Sequence, residues 1–159
     1  MPLRPMTDAD APELLRLHET PEVAEWWGPP AAGFPLEDPT ATRFVIEHEG
    51  AVAGMVQYFE EPDPDYKHAI VDLFVDPAVH GRGLGTDALR EVIEILVSDR
   101  GHHRVTIDPA TANEAAIHVY GKVGFNPVGV LHRYERDHDG AGWHDCLLME
   151  WLAPAADHP

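Results

Sequence analysis

The stretch AIVDLFVDPAVHGRGLGTDALR, residues 69–90, decides how the chain is read. Ala69 to Val75 is apolar on both faces except at Asp72, the pattern of a strand buried in the middle of a sheet. From Gly85 to Ser98 the apolar residues Leu89, Val92, Ile93, Leu96 and Val97 recur at helical spacing. Between the two lies Gly81-Arg82-Gly83-Leu84-Gly85-Thr86. Backbone N–H groups converging at a helix start bind a phosphate well, provided the side chains are small enough to let it approach. Three alternating glycines also suit a plain tight turn from strand to helix. A Rossmann dinucleotide site is disfavoured, because the run follows a fourth candidate strand and no matching acid of a βαβ unit comes after it. A Walker loop is excluded by the missing Gly-Lys-Ser/Thr ending.

Toward the N-terminus, Leu3 to Pro5 reads as a short strand, and Thr7 can cap a helix that puts Leu14, Leu15 and Leu17 on one side. Gly28-Pro29-Pro30 ends any helix, so the adjacent Trp26 and Trp27 are expected to form a loop wall. Thr42 to Glu47 and Ala51 to Phe59 read as strands joined by a turn at Glu49-Gly50, and Glu60 to Asp65 as an exposed loop. Toward the C-terminus come a strand at Arg104 to Ile107 and a helix from Asn113 to Lys122 ended by Gly124. Strands at Phe125 to Leu131 and His144 to Leu152 follow, with a polar hairpin at Asp137 to Gly142. Residues 1–153 read as one domain and 154–159 as a frayed tail.

The 159 residues suffice for a hydrophobic core without staples. With 28 acidic residues against 11 Lys plus Arg, the net charge of −17 repels nucleic acid and attracts polycations, although it equally serves solubility. Cys146 is the only cysteine, so no intrachain disulfide forms. No apolar run approaches the roughly 20 residues of a membrane span. The start lacks the hydrophobic region of a secretory signal, and a cytoplasmic location is expected. His102 and His103 are adjacent, and His138 and His144 flank a hairpin without a ligand-spaced carboxylate or cysteine pattern, so no metal is expected.

Taken in order, Leu73-Phe-Val-Asp-Pro77, His80-Gly-Arg-Gly-Leu-Gly-Thr86 and Asn113-Glu-Ala-Ala-Ile-His-Val-Tyr-Gly-Lys-Val-Gly-Phe125 resemble the GNAT acetyltransferase superfamily over nearly the whole chain. Glu25-Trp26-Trp27-Gly28, Ile70-Val-Asp-Leu-Phe74 and Ile107-Asp108-Pro109 are similar to its aminoglycoside 6'-N-acetyltransferase branch. His80 departs from the usual Gln or Arg of the motif, and the segment from Asp72 to Gly81 is one residue shorter than in that branch. The resemblance implies an α/β (α+β) fold with a central mixed, mostly antiparallel sheet of six to seven strands and helices on both faces. It implies acetyl-CoA as cosubstrate, gripped by His80, Gly81, Arg82, Gly83, Leu84, Gly85 and Thr86. Backbone N–H groups around Phe74 and Val75, where the central strand splays from its neighbour, would meet the pantetheine and the thioester oxygen.

In the same reading Tyr120 is the general acid for the CoA thiolate, and Asn113, two helical turns before it, is a pantetheine or helix-capping contact. A carboxylate must bind the acceptor ammonium and help to remove its proton, and Asp72 and Asp108 are the candidates. Asp72 among Ile70, Val71, Leu73 and Phe74 is costly to bury unless it faces a site, whereas Asp108 before Pro109 also suits a turn. Trp26 and Trp27 offer a flat wall for a sugar ring or a cation, or else belong to the core. The implied acceptor is a small cationic amine, foremost an aminoglycoside. A polyamine, a protein N-terminus, a siderophore intermediate and a non-catalytic acetyl-CoA-binding module are the alternatives. The protein is expected to be a monomer or homodimer.

Overall fold

A computed structural model describes residues 1–155. The strands are β1 (Leu3–Pro5), β2 (Thr42–His48), β3 (Ala51–Glu60), β4 (Ala69–Val75), β5 (Arg104–Ile107), β6 (Asn126–Arg136) and β7 (Trp143–Leu152). The helices are α1 (Ala11–His18), α2 (Pro21–Trp27), α3 (Leu84–Ser98) and α4 (Glu114–Val123). All seven strands join one sheet in the order β1-β2-β3-β4-β5-β7-β6, and only β4 and β5 run parallel.

Alternation along the strands divides the core. Val56 and Tyr58 of β3 and Val71 of β4 face α3, where Leu89, Val92, Ile93 and Leu96 close the larger apolar cluster. Ile117, Tyr120 and Val123 of α4 pack against the same cluster. On the opposite face Val45, Met55 and Phe74 pack beneath Leu14 and Leu17 of α1 and Val23 of α2. Helices therefore cover both faces of the sheet. Each fully buried leucine here contributes about 2 kcal/mol of apolar transfer free energy.

Two expectations need correction. Trp26 and Trp27 form the last turn of α2 and not a loop wall; Pro21 starts that helix, Glu22 lies in its first turn, and Gly28 ends it at φ 74°. The strand expected to end at Leu131 runs on as β6 to Arg136, interrupted by a bulge between Leu131 and Glu135 in which Arg133 adopts φ 50°. The bulge lets β6 continue past a residue with no periodicity to announce it. The hairpin at Asp137 to Gly142 is present, closed by Asp137 N–H donating to Gly142 O at 2.9 Å. Of the tail, residues 156–159 lie outside the described residues.

Candidate active site

The site begins where two parallel strands part. Ala69 and Ile70 of β4 pair with Val105 and Thr106 of β5, and beyond that register the strands diverge. Asp76 N–H donates to Ala53 O at 2.7 Å, so by alternation Phe74 and Asp72 turn their N–H groups to β3, while those of Leu73 and Val75 face the gap. Of the two residues expected to present N–H groups to a ligand, Val75 thus faces the gap and Phe74 does not. Trp27 Nε1 donates to Leu73 O, one of the carbonyls freed by the divergence, at 3.2 Å. Its ring stands edge-on to Phe74, with centroids 5.1 Å apart. Buried His18 braces the same corner, donating from Nε2 to Gly28 O at 3.1 Å; burial holds its pKa below the ordinary value.

At one end of the gap lies the glycine turn. Gly81 and Gly83 take φ 80° and 74°, a left-handed conformation that costs other L-residues, and Gly83 directly precedes α3. A Cβ added at either would meet no atom within 4 Å, so the space over the turn is open. The turn leads directly into the start of a 15-residue helix, whose first backbone N–H groups have no partner within the helix, an arrangement that suits a phosphate. His80 bends back from the turn, and its Nε2 donates to Val75 O at 3.0 Å. Its visible role is to tie the turn to the end of β4.

At the other end is a pocket of about 360 Å³. Trp26, Trp27, Asp72, Asp108, Asn113 and Tyr120, six residues singled out from sequence, all line it. Asp72 is half-buried, and desolvation, reinforced by the negative charges of Asp108 and Glu135, pushes its carboxyl up to about 7 against a hydrogen bond with Gln57. Asp108 is raised as well, by burial and by Glu135, while a hydrogen bond with the Tyr134 hydroxyl opposes the rise. Burial, with the charges of Asp72 and Asp108 nearby, keeps the Tyr120 hydroxyl protonated far above neutral pH. Asn113 caps α4, its Oδ1 accepting from Ala116 N–H at 3.3 Å. Two partly desolvated carboxyls and a protonated phenol are thus held in one cleft.

Sequence reading missed the supports of this cleft. Arg43, Gln57 and Asp72 are register partners across β2, β3 and β4, in one row on the α1/α2 face. Arg43 Nε donates to Gln57 Oε1 at 2.8 Å, and its guanidinium is clamped by Glu37 at 2.9 Å. The Gln57 amide is thereby fixed with its N–H side left for Asp72. Glu135, Arg136 and His138, from the end of β6 and the hairpin, also line the pocket, and His138 Nε2 donates to Trp26 O at 3.2 Å. The register of an Arg, a Gln and an Asp on three separate strands leaves no mark in the sequence, and neither does the bulge that carries Glu135 to the pocket.

An open glycine turn before a helix at one mouth of a split sheet, and a pocket lined by two carboxyls and a phenol at the other, suit delivery of an activated acyl group to a nucleophile. The fold and its site thus suit the class of acyl transferases. More narrowly, residues 3–125 match the model of the Acetyltransferase (GNAT) family, and the chain belongs to that family. It is an N-acetyltransferase. Among named relatives, "Aminoglycoside N(6')-acetyltransferase type 1" of Klebsiella pneumoniae is 28% identical over 152 residues, 81% of this chain and 75% of that protein. "Spermidine N(1)-acetyltransferase" of Escherichia coli K12 is 27% identical over 139 residues, 81% of this chain and 74% of that protein. In fold the chain is similar to aminoglycoside acetyltransferase AAC(6')-Ib solved with coenzyme A and kanamycin, at TM-score 0.77 and 23% identity over 94% of this chain and 93% of that one. It is equally similar to spermidine N-acetyltransferase from Vibrio cholerae solved with CoA and spermine, at TM-score 0.80 and 21% identity over 94% of each chain.

Proposed function

We propose that the protein moves an acetyl group from acetyl-CoA to a primary amine of a small polycation, foremost the 6'-amine of an aminoglycoside. The observation that carries this reading is the pairing of Asp72 and Asp108 with Tyr120 in one pocket, next to the gap where β4 and β5 part. Acetyl-CoA supplies the activated carbonyl. Gly81 to Thr86 bind its pyrophosphate through backbone N–H groups, as the left-handed Gly81 and Gly83 and the open space above them support. N–H groups of β4 on the gap side, Val75 foremost, orient the pantetheine and receive the oxyanion. His80 and Asn113 hold the two flanks of that donor groove.

The acceptor arrives as an ammonium and must lose a proton before it can attack. Asp72, with a pKa near the working pH, takes that proton directly or through one water, and Asp108 holds the cation in place. Tyr120, still protonated, donates to the departing thiolate. Trp26 and Trp27 supply the apolar wall against which the acceptor lies. A family relation to enzymes of aminoglycosides and of spermidine supports a polycationic acceptor in either form.

A polyamine is the second reading, and one feature favours it. A further pocket shares Trp26, Ala110 and His138 with the first and carries Glu25, Asp137 and Asp145, so an acid-lined path continues beyond Asp108. A linear polycation fits such a path as well as a ring system does. Product analysis decides between them: kanamycin and spermidine are incubated with acetyl-CoA, and the acetylated nitrogen is located by NMR. Acetyl on the 6'-nitrogen of kanamycin, formed faster than acetylspermidine, supports the leading reading, and the reverse order replaces it with the polyamine.

A further inference from the structure

The face of the β6–β7 hairpin that borders the pocket carries a second chemistry. Glu135 and His144 are register partners across β6 and β7, and Cys146, two residues along β7, lies on the same face as His144. One ligating atom from each of Glu135, His144 and Cys146 lies within 4.8 Å of the others, the one such grouping of three among the described residues. Cys146 is fully buried and forms the floor, His144 is half-buried, and the Glu135 carboxylate sits at the open edge. Asp137 accepts from His144 Nδ1 at 2.9 Å, which fixes the ring and leaves Nε2 turned toward Glu135, 3.1 Å away. A carboxylate on the far nitrogen of an imidazole is how proteins orient a histidine that ligates a metal.

We propose that Glu135, His144 and Cys146 bind a divalent cation of borderline softness, Zn²⁺ by preference, with an open fourth position toward solvent. A mixed set of thiolate, imidazole and carboxylate selects zinc over calcium or magnesium, which take oxygen. Tetrahedral bonds of about 2.0–2.3 Å bring ligand atoms to within about 4 Å of one another. Glu135, at the exposed edge, closes the remaining distance by a change of rotamer. Binding breaks the S–H bond of Cys146 and forms a sulfur–metal bond. The thiol proton and the Nε2 proton that His144 shares with Glu135 pass to solvent, the freed Nε2 lone pair bonds the metal, and Asp137 keeps its hydrogen bond to Nδ1. Nothing in this inference depends on which amine the enzyme acetylates.

Because Cys146 is the only cysteine, a sulfur-to-metal signal reports this site alone, whatever the other histidines bind. Tag-free protein stripped with a chelator is titrated with Co²⁺ and followed by near-ultraviolet absorbance. The expected result is a thiolate-to-cobalt charge-transfer band that saturates at one equivalent and is bleached by one equivalent of Zn²⁺. Cys146→Ser abolishes the band, and Glu135→Gln and His144→Ala each weaken Zn²⁺ binding by about tenfold or more. Circular dichroism melts of the metal-free variants check folding. Should Cys146→Ser fail to fold, Glu135→Gln, altered at the exposed edge, carries the same comparison. Absence of the band in the parent protein, or Zn²⁺ affinity unchanged in Glu135→Gln and His144→Ala, overturns the proposal.

Discussion

Asp72 links one titration to the stability of the fold and, in the proposed mechanism, to acetyl transfer. It lies opposite Gln57, partly desolvated and near the negative charges of Asp108 and Glu135, and its folded pKa of about 7 stands above the ordinary 3.8. The folded chain therefore holds this proton more tightly than the unfolded chain. The stability linked to this group is complete below about pH 4 and is lost as pH rises through 7. Asp72→Asn removes that loss while keeping an oxygen for Gln57, so at pH 8 the variant should be more stable by about 1–3 kcal/mol, discounted for partial exposure. Thermal melts at pH 8 and pH 4 check it: the variant melts higher at pH 8, the difference closes by pH 4, and a lower melting point at pH 8 would refute the desolvation argument. The same substitution should cut kcat/KM for the acceptor about 100-fold by removing the proton acceptor. Tyr120→Phe should lower kcat by about 100-fold while the dissociation constant for CoA, measured by calorimetry, stays within about twofold. Asp108→Asn should act on the acceptor KM more than on kcat, as steady-state kinetics with varied acceptor would show.

Among the elements, the turn from β4 to α3 carries the donor half of the proposal. Gly83 at φ 74° is required by conformation and not by crowding, since an added Cβ meets nothing nearby. Gly83→Ala should therefore cost about 1 kcal/mol of stability and weaken CoA binding by about tenfold through the displaced N–H cradle. Denaturant melts and calorimetric CoA titration measure the two effects separately, and unchanged CoA affinity would remove the turn from the donor site. Most of this element was legible in the sequence, because a doubly apolar strand, a glycine run and a helical apolar stripe are each local patterns. Pocket residues on the two buried motifs, Asp72 and Tyr120, were legible for the same reason. α2 was not, because in seven residues ending in Trp-Trp and followed by Gly-Pro-Pro the breaker is plainer than the helix before it. The second half of β6 was hidden by its bulge, and with it the position of Glu135 and the grouping with His144 and Cys146. The row of Arg43, Gln57 and Asp72 was hidden because strand register is a tertiary property.

On the scale of the whole molecule, charge is the organising quantity. A net charge of −17 surrounds a cleft whose walls already carry Asp72, Asp108 and Glu135. Such a field concentrates a cation at the cleft mouth and raises its rate of encounter, an effect that salt screens within about 8 Å at physiological ionic strength. Among the described residues no helix is long and apolar enough to cross a membrane. The measurement that tests the account most directly is the initial rate of CoA-thiol release from acetyl-CoA with kanamycin, at low and at physiological salt. The account predicts rapid turnover whose kcat/KM falls several-fold as salt rises. Acetyl-CoA bound without thiol release for kanamycin or for spermidine would contradict it.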